Sequence, residues 1–167
     1  MLTPAIRAFI NEPLPIIVAK ASFVSRVHRR SHAEYIGVKR YDERGEVIGE
    51  TRFVGLFTSE AYTRAADEVP LIRRKIENVK AAAPQGSRFS AKQLDSVLKT
   101  YPRDELFQIS EADLARISSG VLRLLLRPRT HLFIRRDRFD RYVSALLYTP
   151  RDSYTSELRT RAHKKLA

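Results

Sequence analysis

Two arginine-rich stretches hold the residues best suited to chemistry in this chain. In RVHRRSHAEYIGVKRY, Arg26, Arg29 and Arg30 precede a strand-forming run that carries tyrosine; in RRDRFDRYVSALLYTPRDSY, Arg135, Arg136, Tyr148, Arg151 and Tyr154 alternate with aspartate. A guanidinium presents a planar fork of donors that matches a carboxylate or phosphate, and tyrosine adds apolar area with a polar tip. These residues are the candidate docking or anion-contact set. Their competing role is intramolecular, with Arg135 or Arg136 paired to nearby Asp137 or Asp140.

Other chemistries find less support, and no catalytic, cofactor-binding or metal-binding residue is assigned. A phosphate-cradling loop needs closely spaced glycines between a strand and a helix. The chain has six glycines; Gly45 and Gly49 fall in a hairpin pattern, Gly37 and Gly55 in β-like runs and Gly120 in a helical pattern, which suits turns, bulges and close packing. His28 and His32 are four apart, but they lack the flanking glutamate of the zinc-protease pattern. Ser59, Ser90 and Ser110 fit turns and helix caps, and nothing marks a base or an oxyanion hole beside them.

The elements that hold these residues come from a chain of 167 residues, enough for one substantial core. Residues 1–150 read as a single regulatory or assembly domain, and 151–167 as a tail or linker to downstream domains. The absence of cysteine excludes disulfides and, with no signal-peptide pattern at the N-terminus, points to the cytoplasm. Apolar runs are far shorter than the ~20 residues of a membrane span. The formal charge of +12 invites nucleic-acid binding, but the positive residues are spread through every segment without a binding module's spacing. Anionic small-molecule sensing and nucleic-acid binding stay as the alternative functions.

Ile16, Ile17 and Val18 predict a first strand, and the run from Glu34 to Thr58 predicts a hairpin turning at Asp42-Glu43-Arg44-Gly45. Residues 68–83 predict a helix with Pro70 in its first turn and Leu71, Ile72, Ile76 and Val79 as its apolar stripe, stopped by Pro84-Gln85-Gly86. A second helix is expected over 90–99 with Ser90 as N-cap, and a third from Ser110 to Pro128 with Leu114, Ile117, Val121, Leu122 and Leu125 buried. Leu132, Phe133 and Ile134 then predict a strand, 137–141 a turn and 142–148 its partner. Residues 156–166 carry almost no apolar stripe. The expected fold is α+β: an antiparallel or mixed sheet built from two hairpin regions and backed by about three helices, in a PAS-like, GAF-like or ACT-like arrangement.

Four stretches taken in order carry a family resemblance: VHRRSHAEYIGVKRYDERGEVIGETRFVGLFTSEAY, EVPLIRRKI, TYPRDELFQI and LFIRRDRFDRYVSALLYTPRDSYTSELR. Together they resemble the N-terminal, non-catalytic region of the very large bacterial NAD-specific glutamate dehydrogenases, over about Pro13 to the C-terminus. That resemblance implies a homo-oligomeric parent enzyme that converts L-glutamate to 2-oxoglutarate and ammonia with NAD as hydride acceptor, in a catalytic domain far downstream. It implies no cofactor in this segment. The implied partners are the downstream domains of the same chain and the other subunits, with a small-molecule effector as a further candidate. The LFIRRD to YTPRD segment looks like the first hairpin of an ACT-like unit, and either pairs with the upstream sheet or belongs to a truncated ACT-like domain.

Overall fold

The computed structural model describes residues 11–84, 88–140 and 142–166, with the side chains of 88 and 89 left aside. By their internal contacts they group into two compact units, one formed by the residues up to Arg73 with Pro102–Gln108, the other by Arg74–Tyr101 with the residues from Ile109 onward.

The first unit is built on a meander of β1 (Ile16–Ser25), β2 (Ser31–Tyr41) and β3 (Val47–Gly55), antiparallel and in that order across the sheet. Alternation along each strand sends successive side chains to opposite faces. Ile17 and Ala19 share one face with their partners Gly37 and Tyr35, while Lys20 lies beside Glu34 on the other. The turn between β2 and β3 follows from two local devices. The Asp42 carboxylate accepts from the Arg44 and Glu46 amides at 2.9 and 2.8 Å. Gly45 takes φ +81°, the left-handed region that glycine enters without steric cost. After β3 come the short helix α1 (Ser59–Thr63), a 3-10 turn at Ala66–Glu68 and the start of α2 (Pro70–Ala82). Residues 102–108 return to this unit as α4 (Arg103–Gln108), which packs on β1 with Leu106 buried.

The second unit contains the rest of α2, then α3 (Arg88–Thr100), α5 (Glu111–Leu126), the hairpin β4 (His131–Arg136) and β5 (Val143–Tyr148), and α6 (Ser156–Leu166). Helix α5 starts where its cap predicts: the Ser110 hydroxyl accepts from the Asp113 amide at 3.0 Å. Along α2, Ile72, Ile76 and Val79 are buried. Leu94, Val97 and Leu98 of α3 are buried as well, as are Leu114, Ile117 and Val121 of α5, and α3 packs on α5.

Several expectations need correction. Among the described residues the strands form two separate antiparallel sheets, of three and two strands, so β4–β5 does not join the upstream sheet. Each sheet closes its own local hydrogen bonds, and Phe133, paired with Leu146 of β5, is buried beside Gly120 of α5. Six α-helices occur among the described residues, not three. The additional ones are α1, α4 and α6, which are short or lack a buried stripe. Ser90 lies inside α3, which begins two residues earlier at Arg88. Leu71 is exposed because it falls one step off the 72, 76, 79 face. Leu125, 53% exposed, belongs to a last turn that runs past the packed stretch. Gln85, Gly86 and Arg141, expected in stop and turn signals, lie outside the described residues.

Candidate functional site

The polar groups of the first unit assemble where α4 lies on the sheet. The connector of residues 26–30 between β1 and β2 is turned by His28 at φ 61° and brings Arg29 toward α1. Arg29 Nη2 donates to Tyr62 Oη at 2.9 Å and to the Phe57 carbonyl at 3.4 Å, and its guanidinium lies 5.0 Å from the Tyr62 ring centroid. Tyr62 in turn donates to Asp104 Oδ1 at 3.0 Å. Lys20 Nζ reaches the same oxygen at 3.2 Å and also donates to Glu34, whose other oxygen accepts from Gln108 Nε2 at 3.2 Å. Strands β1 and β2, helix α1 and helix α4 are thus tied by one run of hydrogen bonds.

Burial sets the electrostatics of this run. Glu34 is buried and its carboxyl titrates above its usual value, since the loss of hydration outweighs the downward pull of Lys20. Burial also acts to lower Lys20 and is its largest single influence. The hydrogen bonds and charges of Glu34 and Asp104 together exceed it and hold the ammonium above its ordinary value. Tyr62 is pushed up by burial and by its bond to Asp104. Each group is occupied by a neighbour within the unit, so the arrangement can hold a helix on a sheet.

Arg26 and Arg30, also on the connector, are exposed. In the second unit the remaining candidates divide. Arg135 is buried, with its guanidinium 5.9 Å from the Tyr142 ring centroid and Nη1 donating to the Arg136 carbonyl at 3.4 Å. Arg136 pairs with Asp140 at 3.5 Å in full solvent, a pair of the kind worth little. Tyr148 packs its ring edge-on to Phe133 at 5.7 Å, and burial pushes its hydroxyl up. Arg151 and Tyr154, at and after the 3-10 turn Arg151–Ser153, are exposed. The structure therefore joins Arg29 to one network and Tyr148 to the hairpin packing, and does not gather the set into one site.

Lys20, Glu34, Tyr62, Asp104 and Gln108 were not singled out by sequence reasoning. The available signal was Glu34, a charge within a strand-forming run beside the small Ala33. A cleft of about 230 Å³ opens between α2, α3 and α5, lined by Val79, Ala82, Leu94, Ala115 and Ser119, with Arg116 at its wall. That guanidinium is held by Asp113 at 2.8 Å, and Asp113 titrates below its ordinary value because of this bond. Among the described residues no group of three His, Cys, Asp or Glu side chains converges to hold a metal ion. His28 lies in the connector, and His32 Nδ1 sits 3.2 Å from the Ala21 carbonyl.

Comparison with known proteins places these elements. Residues 69–127, which contain α2 to α5, match the family model for glutamate dehydrogenase helical motif 1, and residues 131–167, beginning at β4, match that for the glutamate dehydrogenase ACT2 domain. The chain is 42% identical over 159 residues to the NAD-specific glutamate dehydrogenase of Halomonas elongata, an alignment covering 92% of this chain and 10% of that protein. Against the enzyme of the same name from Pseudomonas aeruginosa it is 35% identical over 160 residues, covering 95% and 10% respectively. For that of Mycobacterium tuberculosis the identity is 34% over 144 residues, covering 86% and 9%. The chain spans about a tenth of the length of these curated relatives.

Proposed function

The chain belongs to the bacterial NAD-specific glutamate dehydrogenase family, as a homologue of its helical-motif-1 and ACT2 region, and from this premise we propose that it acts as a regulatory and assembly segment of such an enzyme. The whole enzyme, in this reading, oxidatively deaminates L-glutamate to 2-oxoglutarate and ammonia with NAD as acceptor. The tandem order of the two family matches, meeting between α5 and β4, is the observation that carries it. In this reading residues 1–150 form the regulatory and assembly domain, and 151–167 form a tail or linker that shares in docking through Arg151 and Tyr154.

NAD is assigned to the rest of the enzyme. Of the described glycines, Gly37, Gly49 and Gly55 lie in strands, Gly45 in a turn and Gly120 beneath Phe133, so each serves a backbone or packing purpose. The cytoplasm is the compartment in which NAD-linked glutamate oxidation would run, and no helix among the described residues is long and apolar enough to cross a membrane. Partners are the remaining domains of the same polypeptide and other subunits, met through the exposed Arg26, Arg30, Arg151 and Tyr154.

The purified chain should give no NAD reduction with L-glutamate. In a full-length relative, replacing the residues equivalent to Arg30 and Tyr154 with alanine should lower assembled mass or thermal stability before turnover falls. Turnover by the isolated chain that survives repeated purification would sink the non-catalytic assignment. Unchanged mass, stability and activity in the substituted enzyme would reject the docking role.

A further inference from the structure

Strand β3 forms an edge of its sheet among the described residues, and its sequence is its own complement. Nearly the whole of Val47–Gly55 is exposed, with Ile48 60%, Phe53 56% and Val54 52% accessible. An open edge carrying apolar side chains is a template for pairing with another strand unless charged side chains, proline or a bulge blunt it. β3 has neither proline nor lysine, and its bulge lies at its start, opposite Arg40 and Tyr41. Its charges are one acid and one base, Glu50 and Arg52, placed symmetrically about Thr51.

We propose that the β3 edge is an isologous docking surface whose occupant is a second copy of this chain, paired antiparallel about Thr51. In this register Glu50 of each copy lies directly across from Arg52 of the other. Ile48 lies across from Val54, Gly49 from Phe53, and Thr51 from itself. Cross-strand pairs of opposite charge, of β-branched residues and of threonines are each favourable, and an aromatic residue shields the backbone of a facing glycine. Glu50 and Arg52 already meet on one face of β3, with Nε 2.6 Å from Oε1, so the two copies would bring together a square of alternating charges.

The same residues fix the register. Outward-pointing backbone groups recur at every second residue of a strand, so the neighbouring symmetric registers are centred on Glu50 and on Arg52. The first sets Glu50 against itself and the second sets Arg52 against itself, and like charges directly opposite are destabilising. Thr51 is the one centre of the three at which every charge meets its opposite. This inference stands on the strand alone and does not depend on the enzyme the chain serves.

Sedimentation velocity of the 167-residue chain over a concentration series tests it. A monomer–dimer equilibrium is expected. Arg52→Glu should weaken it roughly tenfold or more, because both favourable pairs become repulsive. Arg52 is 67% exposed, so this variant should keep the fold, which circular dichroism and a thermal melt would verify. Glu50→Arg should weaken self-association likewise, and the double variant Glu50→Arg/Arg52→Glu should restore it. An equal mixture of the two single variants, one basic and the other acidic at these positions, should form the mixed dimer. A chain that stays monomeric at every concentration overturns the proposal and leaves the edge to a strand from elsewhere in the polypeptide. Association indifferent to Arg52→Glu, or a folded double variant that fails to re-associate, overturns it as well.

Discussion

Phe133 lies over Gly120: a Cβ built on the glycine would stand 2.5 Å from Cε1 and 2.7 Å from Cζ of the ring. Glycine inside a helix is unfavourable by about 1 kcal/mol relative to alanine, so its place in α5 needs a tertiary reason. Docking of the β4–β5 hairpin supplies that reason. Phe133 is hemmed in by His131 at 4.5 Å and Tyr148 at 5.7 Å, which limits how far the ring can withdraw.

Gly120→Ala is therefore expected to destabilise the chain. Overpacking costs ~1–3 kcal/mol and exceeds the ~1 kcal/mol gained in helix propensity. Thermal melts should show a lower midpoint for Gly120→Ala and partial recovery in Gly120→Ala/Phe133→Leu. A midpoint raised by Gly120→Ala alone would show that the ring yields freely and that the contact does not hold the hairpin.

The Lys20–Glu34 pair predicts an asymmetric double-mutant cycle. Lys20→Met should cost on the order of 3 kcal/mol, because it leaves a buried carboxylate without its cation. Lys20→Met/Glu34→Leu should recover much of the loss, since it removes the buried charge together with its partner. Urea denaturation of the three proteins measures the cycle, and equal losses in the single and double variants would contradict it.

Ser118 of α5 is fully buried and its hydroxyl has no hydrogen-bond partner among the described residues. A buried polar group in that condition costs ~1–3 kcal/mol of desolvation. Ser118→Ala should thus raise the unfolding free energy by roughly 1 kcal/mol, read from the urea midpoint at unchanged slope. A fall of similar size would mean that the hydroxyl is bonded in solution.

Alkaline pH should weaken the first unit. Burial, followed by its hydrogen bond to Glu50 and that residue's charge, pushes the Tyr35 hydroxyl from its ordinary 10.0 up to about 12. The folded state thus favours neutral Tyr35, so the associated stability is complete below pH 10.0 and is lost as pH rises toward about 12. Tyr62 and Lys20 are shifted in the same direction and add to the loss. Tyrosinate absorbance should show phenols titrating late in the folded chain, and Tyr35→Phe should flatten the decline in stability. A folded chain whose tyrosines all titrate normally would refute this.

Much of the local architecture was legible from the amino acids alone. Asp42 and Gly45 specify a turn through a side-chain acceptor and a positive φ. Ser110 marks the start of α5, and Pro70 the start of α2, because capping and the fixed proline φ act within a few residues. The stretch VHRRSHAEYIGVKRY and the later ones likewise carry the family resemblance in their residues alone. Arginine and tyrosine content marked Arg29 and Tyr148 without revealing their partners, which lie 33 residues away at Tyr62 and 15 away at Phe133.

Tertiary structure alone decided which hairpin joined which sheet, that α4 returns to the β1–β3 unit, and that Lys20, Glu34, Tyr62 and Asp104 meet. It also decided that Leu125 stays exposed while Ser118 is buried. A one-dimensional pattern reports the period of an element and the face that is apolar, but burial also depends on where the neighbouring element ends. The Lys20–Asp104 contact spans 84 residues, a separation at which propensity and capping exert no influence and only the packed fold brings the two charges together.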